Sequence, residues 1–435
     1  MPVQSAEQRL FGAVMRPLQA FLRFPAASGI LLLLCALTAL VWVNLHGQSY
    51  FALFSKPYSF NVGDVVASFS LRALINEGLM TFFFFAIGLE VKRELVVGEL
   101  DTLAKASLPA IGALGGMLLP AGIFLAWNWG QPGERGWGIP MATDIAFCVG
   151  ILTLLKDRIP RSLVVFLTAL AIFDDIGGIM VIAVVYGHGL DVRWLLVSSA
   201  LCLVLLAMNR QHVGSGIAYA LVGMILWYAV HHGGIHAPIA GVILGLFVPA
   251  RSPQPSRKAL DELYAYIGSL KTKPPDEDLN AAEVHRIEQV LEQMRSPLSR
   301  LVHRLHPVVS FVIMPLFALA NAGVPLGAAG LASLASPVTL GTGLGLFLGK
   351  QVGIFGFTLL AVRLRLAPMP GQSTASKLFG ISVLAGIGFT VALFIADVAF
   401  EENLTLLNQA KIGILLASLA SGALGLLVLG LTRKT

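Results

Sequence analysis

The sequence predicts an all-α polytopic membrane protein of about 12 transmembrane helices, and three observations predict it. The 435 residues are 56% hydrophobic and 12% charged, with a mean hydropathy of +0.79. A soluble domain carries roughly twice that charged fraction. Apolar runs of about 20 residues, the length that crosses a bilayer core, recur along the whole chain. Lys and Arg collect on alternate connections between those runs, as they do in inner-membrane proteins. A transmembrane β-barrel would instead show short segments of alternating polarity.

With Gly, Pro and charge as punctuation, the spans fall near 27–46, 71–92, 107–127, 138–155, 161–186, 194–209, 214–230, 235–250, 307–322, 340–361, 377–400 and 409–431. An even number puts both termini on one side. If that side is cytoplasmic, about 24 of the 30 Lys and Arg lie on it. The external loops then hold only Lys56, Arg72, Arg135, Arg193 and Lys411, a bias that fixes the orientation. The division is a cytoplasmic N-terminus (1–26), spans 1–8 (27–250), a charged cytoplasmic insertion (251–296) and spans 9–12 (297–432). The insertion includes the run Lys271 to Asp278, and Ala281 to Met294 has amphipathic helical spacing. The external loop 47–70 has the aromatic and polar residues of a short hairpin.

Several functions drop out. The net charge of +6 and the pI near 9.3 mark cytoplasmic loops and do not call for nucleic acid. Cys35, Cys148 and Cys202 all lie in apolar segments, so no disulfide or metal framework is visible. Residues 1–24 carry three arginines without an apolar core, unlike a cleaved signal.

Residues 107–186 and 340–431 echo one another. Each holds a Gly-rich span, a span interrupted by polar residues and a longer span. The interruptions are Pro140-Met-Ala-Thr143-Asp144 and Ala385-Gly-Ile-Gly388-Phe-Thr390. Matched interruptions predict inverted-topology repeats whose broken helices line a mid-membrane site, an architecture of which the family named below is itself an example.

Charges inside spans carry the chemistry, because each costs several kcal/mol at the bilayer centre unless paired or wet. Asp174 and Asp175 lie about ten residues from either end of their span. Adjacent helical residues diverge by about 100°, so the two carboxyls cannot do identical jobs. Desolvation and mutual repulsion favour their neutral forms. Deprotonated, they offer hard oxygens to a small cation, so protons and sodium compete for one place. Gly177 and Gly178 admit a close neighbour. Asp144 either compensates a half-helix end or is a plain N-cap. Lys350, flanked by apolar runs, needs a partner: Asp174 or the break at 385–390. At span ends read as cytoplasmic stand Glu90, Lys92, Arg93 and Glu94, and His303 and His306. Such a cluster is either ordinary anchoring charge or a pH gate.

At these residues the chain resembles the NhaA-type sodium/proton antiporters of bacterial inner membranes. The resemblance rests on FFFFAIGLEVKREL (82–95), PMATDIAFCVG (140–150), LTALAIFDDIGGI (167–179), the Gly-rich stretch from Gly234 to Pro249, PLFALANAG (315–323), GKQVG (349–353) and GIGFTVALFIA (386–396). It implies two broken helices crossing at mid-membrane, with Thr143, Asp144 and Gly388 at the breaks. It implies that Asp174 and Asp175 bind sodium and carry protons, that Lys350 pairs or competes with Asp174, and that Asp144 compensates helix ends. It further implies electrogenic exchange of two protons per sodium, acceptance of lithium, no cofactor, and activation at alkaline pH through Glu90, Arg93, Glu94 and His303. A homodimer is an assembly it allows. Val302 stands where the family's sensor often has an acid, and the insertion 251–296 is longer than in compact members. An intramembrane aspartyl protease would need its two acids on separate helices. A passive channel fits broken helices but not a buried lysine beside the acids.

Overall fold

The computed structural model describes residues 26–432 apart from 63–64, 156–157, 188, 212, 214, 251–255, 271–279, 295, 328–329, 331 and 372. The N-terminal stretch and the run Lys271 to Asp278 therefore lie outside the described residues. Among those described, nine helices are long and apolar enough to cross a membrane. They are Ala27–Phe54, Leu71–Val96, Leu103–Asn128, Glu134–Leu154, Arg161–Val185, Val192–Arg210, Pro297–Asn321, Pro337–Arg363 and Leu404–Leu431. A bent pair, Ala375–Leu384 and Phe389–Ala399, and two shorter apolar helices, Gly216–His232 and Pro238–Phe247, complete the set. Numbered 1 to 12 in chain order, one stands at each predicted span; among the described residues ten, counting the bent pair, are long and apolar enough to cross. Val192–Arg210 has only 6% of its most apolar window buried, which suits lipid and not water.

Boundaries differ where local chemistry overrides hydropathy. Span 1 does not stop at His46 but kinks there (φ −139°, ψ 51°) and continues to Phe54. Its last turns are tied down by Tyr50, whose hydroxyl lies 2.9 Å from the Leu319 carbonyl and 2.7 Å from that of Ala320. Span 9 begins ten residues before the predicted start, at Pro297, with Ser296 as its N-cap (Ser299 N to Oγ, 3.1 Å). It runs through Pro307, and a wide π turn, Val309–Ile313, follows directly. The predicted hairpin is present, β1 (Pro57–Val62) pairing antiparallel with β2 (Val65–Ser70). The helix Ala281–Met294 matches the amphipathic stretch. A second helix, Ser256–Leu270, precedes it, and Arg286 sits over the Tyr266 ring at 5.3 Å.

Four of the five basic residues read as external-loop residues are inside helices, Arg135 and Arg193 each at the second position of its helix, Glu134–Met141 and Val192–Arg210. Arg72 lies in the first turn of span 2, and Lys411 lies two turns into span 12, only 1% exposed. Lys411 lowers the local hydropathy of the helix start, so a hydropathy window puts the boundary near the charge and not at the Asn403 cap (Leu406 N to Oδ1, 3.1 Å).

The chain separates into two compact units. One comprises 80–101 and 187–309. Its core gathers Leu89, Leu205, Leu226, Val248 and Leu298. Small residues let its helices touch: a methyl on Gly88 would stand 2.6 Å from the Val242 carbonyl oxygen. The other unit comprises 1–79, 102–186 and 310–435, and it holds the residues below. In it span 3 lies along span 10. Their backbones approach so closely that a methyl on Gly353 would overlap the Gly115 carbonyl, and one on Gly349 would come within 2.7 Å of Pro120 Cα. This approach fixes the height at which Lys350 enters the unit.

Candidate functional site

Both interrupted spans are broken where their polar residues stand. In span 4, a 3-10 segment Glu134–Met141 gives way to extended backbone at Ala142 and Asp144, and an α-helix restarts at Ile145. In span 11, Ala375–Leu384 ends, residues 385–388 turn, and Phe389–Ala399 starts; the two halves are bent by 44°. The breaks of the two spans are laced together. Asp144 N donates to Ile387 O at 2.7 Å, and Cys148 Sγ lies 3.1 Å from Leu384 O. Gly388 is required by that proximity, since a methyl there would come within 3.0 Å of Ala142 O and 2.7 Å of Leu346.

Asp144 serves two helix starts at once. Its Oδ1 accepts from Phe147 N at 3.2 Å, capping Ile145–Leu154. Its Oδ2 accepts from Thr390 N at 3.1 Å and from Thr390 Oγ1 at 2.5 Å, in the first turn of Phe389–Ala399. Both readings of this residue, cap and charge compensator, therefore describe one geometry. Two partial positive ends converge on one buried carboxylate, each interaction worth about 0.3–2 kcal/mol. Phe389 N finds its own acceptor in Ser418 Oγ of span 12 at 3.2 Å. Thr390 and Ser418 were not anticipated from sequence, although Thr390 ends the interrupted motif. Thr390→Val removes one donor to a buried charge and is expected to cost about 1.5–3 kcal/mol. Comparison of thermal unfolding in detergent with that of Thr390→Ser, which keeps the hydroxyl, checks this.

Asp174 and Asp175 lie near the middle of span 5, 0% and 4% exposed. Asp174 is the one that meets the breaks. Its Oδ2 pairs with Lys350 Nζ, both side chains fully buried, and lies 2.7 Å from Thr143 Oγ1. Thr143 Oγ1 also accepts from Lys350 Nζ at 2.9 Å and stands 2.9 Å from Ala385 O. A hydroxyl has one hydrogen, so Thr143 donates either to Asp174 or to the carbonyl end of Ala375–Leu384, never to both. Asp174 Oδ1 is buried and has no hydrogen-bond partner among the described residues. A buried carboxylate oxygen in that condition needs an explanation such as an ion or water. Lys350 follows a wide π turn, Gly345–Gly349, a distortion found often at functional sites. Asp175 is one residue on, rotated about 100° around the helix axis.

The acceptors that meet here are hard oxygen: the Asp174 carboxyl, the Thr143 hydroxyl and the Ala385 carbonyl at the helix break, with the Asp175 carboxyl on the next residue. Such donors suit small hard cations. Among the described residues no group of three or more His, Cys, Asp or Glu side chains forms a transition-metal cage.

A sequence profile of the family described as Na+/H+ antiporter 1 matches residues 19–429. The chain belongs to the Na+/H+ antiporter 1 family. It is 56% identical to the Na(+)/H(+) antiporter NhaA of Anaeromyxobacter sp. (strain Fw109-5) over 434 residues, covering all of this chain and 95% of that one. It is 50% identical to Na(+)/H(+) antiporter NhaA 1 of Myxococcus xanthus (strain DK1622), covering 98% and 95%. The structure of the sodium proton antiporter MjNhaP1 from Methanocaldococcus jannaschii superposes with a TM-score of 0.51 over 93% of this chain and 92% of that one. At 13% identity that likeness shows a shared fold.

Elsewhere in this family member, the second charged cluster is assembled differently from its sequence order. Lys92 Nζ donates to Leu246 O at 2.8 Å and Val248 O at 2.6 Å, closing the carbonyl end of Pro238–Phe247. Arg93 pairs with its neighbour Glu94 at 2.8 Å, and Glu94 Oε2 accepts from Glu99 N at 3.0 Å. Glu90 is approached by His306, Nδ1 to Oε1 3.8 Å. His303 is exposed and has no ion pair among the described residues. His306 follows His303 by three residues, so the approach of span 9 to span 2 decides which ring reaches the acid.

Proposed function

We propose that this chain exchanges sodium for protons across a bacterial inner membrane, with both termini cytoplasmic. Family membership supports the reaction class, and the excess of Lys and Arg on alternate connections supports the orientation. The observation that carries the reading is the fully buried Asp174, held between Lys350 and Thr143 at two crossing helix breaks, with Asp175 beside it.

Protons and sodium use the same carboxyl oxygens in turn. With Asp174 and Asp175 protonated, no charge remains for a cation. When they release their protons to one side, the carboxylates, Thr143 and the carbonyls at the break take sodium. Lys350 fills the place of the cation at Asp174 when sodium leaves, so the carboxylate is never bare in low dielectric. Two carboxyls carry two protons against one sodium, which makes the cycle electrogenic. Lithium, another small hard cation, fits the same donors. Alkaline activation follows from competition, because protons at low pH keep sodium off the oxygens. The Glu90–His306 approach, with Arg93 and Glu94 near, is a place for additional control: a protonated His306 pairs with Glu90, and a neutral one releases it.

The test is transport by the purified chain in proteoliposomes carrying an inside pH dye. Sodium and lithium are each expected to drive proton movement, faster at pH 8 than at pH 6.5, and faster when a potassium–valinomycin shunt collapses the opposing potential. Exchange indifferent to the shunt would exclude the two-to-one stoichiometry. No sodium-dependent proton movement at any pH would exclude the reaction.

A further inference from the structure

About two helical turns from the crossed breaks stands a second, partly buried charge cluster that the exchange site does not use. Arg72 Nε donates to Asn321 Oδ1 at 3.0 Å. Asn321 and Asn76 exchange amide hydrogen bonds, 2.7 Å one way and 3.3 Å the other. Asn76 Nδ2 also donates to Asp397 Oδ2 at 2.5 Å. Lys411 is 1% exposed, and the charged groups within electrostatic reach of it are Arg72 and Asp397. Spans 2, 9, 11 and 12 thus each bring polar groups to one place. The remaining charges nearby are exposed: Glu77, one residue beyond Asn76, and Glu401 and Glu402 in the turn joining spans 11 and 12.

The register ties this cluster to the site. Asp397 follows Thr390 by seven residues, and Lys411 precedes Ser418 by seven. Seven residues are close to two turns, so each pair shares a helix face with a rise of about 10 Å. Thr390 holds Asp144, and Ser418 holds Phe389 N. On both helices the charge lies on the face of a break contact, displaced toward the turn at 400–403. In the orientation proposed above, that is the external side. A lysine and an aspartate at such depth are expensive to keep. The asparagines satisfy hydrogen bonds without contributing charge, so the local balance is two cations against one carboxylate.

We propose that Asp397 and Lys411 are positioning residues whose opposite charges set the potential met by sodium between the external solution and Asp174 and Asp175. This rests on the exchange reading above. Asp397 favours an approaching cation and Lys411 opposes it. Their placement affects sodium affinity at the external face and leaves the cytoplasmic face nearly unchanged. For an ion on the external approach, a unit charge about 10 Å away changes its local concentration by roughly two- to fifteenfold between fully aqueous and protein-like screening.

The experiment measures the KM for sodium at each face separately, with the full chain in right-side-out and everted vesicles. Asp397→Asn is expected to raise the external KM roughly three- to tenfold, and Lys411→Met to lower it by a similar factor. Lys411→Arg, which keeps the charge, should leave it unchanged, and the Asp397→Asn/Lys411→Met double variant should return toward wild type. The cytoplasmic KM should stay within about twofold throughout. Shifts of the same sign in both single variants, or equal shifts at both faces, would overturn the proposal and leave a packing role. Should Asp397→Asn fail to insert, Lys411→Met against Lys411→Arg decides alone, an unaltered external KM in Lys411→Met being the contrary result. Wild-type vesicles without sodium/proton exchange would instead overturn the exchange reading itself.

Discussion

Asp174→Asn and Asp175→Asn are each expected to lower sodium-driven proton movement by at least about a hundredfold while the protein still inserts. Asparagine keeps the size and a carbonyl oxygen but neither ionises nor carries a proton. Removing one partner from a buried charged site costs about 3–5 kcal/mol, and each 1.4 kcal/mol is a factor of ten. The two variants should differ in stability even though both stop transport. Asp174→Asn strands Lys350, which is fully buried and holds the Asp174 carboxylate and the Thr143 hydroxyl as its polar partners. Asp175→Asn leaves that pair intact. The check is transport per mole of inserted protein together with thermal unfolding in detergent. Retained exchange in either variant would remove that aspartate from the site.

Lys350→Met is the second large effect. Methionine fills a comparable volume without charge, so the Asp174 carboxylate loses its only cation within reach among the described ion pairs. Breaking a buried pair from one side costs about 3–5 kcal/mol. The sign with pH follows from the charge left behind. In acid, Asp174 takes a proton, nothing is left uncompensated, and the deficit shrinks. As pH rises the proton leaves, the bare carboxylate reappears, and the full deficit returns. In wild type the dependence from this pair is weaker, because the ammonium offsets the carboxylate charge. Unfolding midpoints of Lys350→Met and wild type are therefore expected to converge toward pH 5 and diverge toward pH 9. Adding Asp174→Asn to Lys350→Met should recover much of the loss, a non-additivity proper to residues in contact. A deficit independent of pH, or strictly additive variants, would show that the two side chains are not coupled.

The parts of this site that were legible in the sequence were those that violate the membrane's rules locally. Asp174-Asp175 and Lys350 interrupt apolar runs, and each interruption is costly enough to be informative without a structure. The breaks announced themselves in the same way, through Pro140-Met-Ala-Thr-Asp144 and the glycines before Phe389. What could not be read was which groups meet across spans. Two partners were open for Lys350, and only packing of span 10 against span 3 brings it to Asp174. Ser418 looks like one more small residue in an apolar helix until Phe389 N is seen to need an acceptor. Lys411 was assigned to a loop because a hydropathy window cannot distinguish a charge at a helix boundary from one buried within it. Asn76, Asn321 and Asp397 were not singled out in the sequence, and their significance emerges only where they meet.

The central claim is that a proton and a sodium ion cannot occupy these carboxyls together. Its most direct measurement is proton release on sodium addition to the purified, detergent-solubilised protein in weakly buffered solution at fixed pH, alongside the heat of sodium binding. The account predicts saturable release that tracks occupancy in wild type and disappears, together with binding, in the Asp174→Asn/Asp175→Asn double variant. Sodium binding that releases no proton in wild type, or that persists with both aspartates replaced, would contradict it.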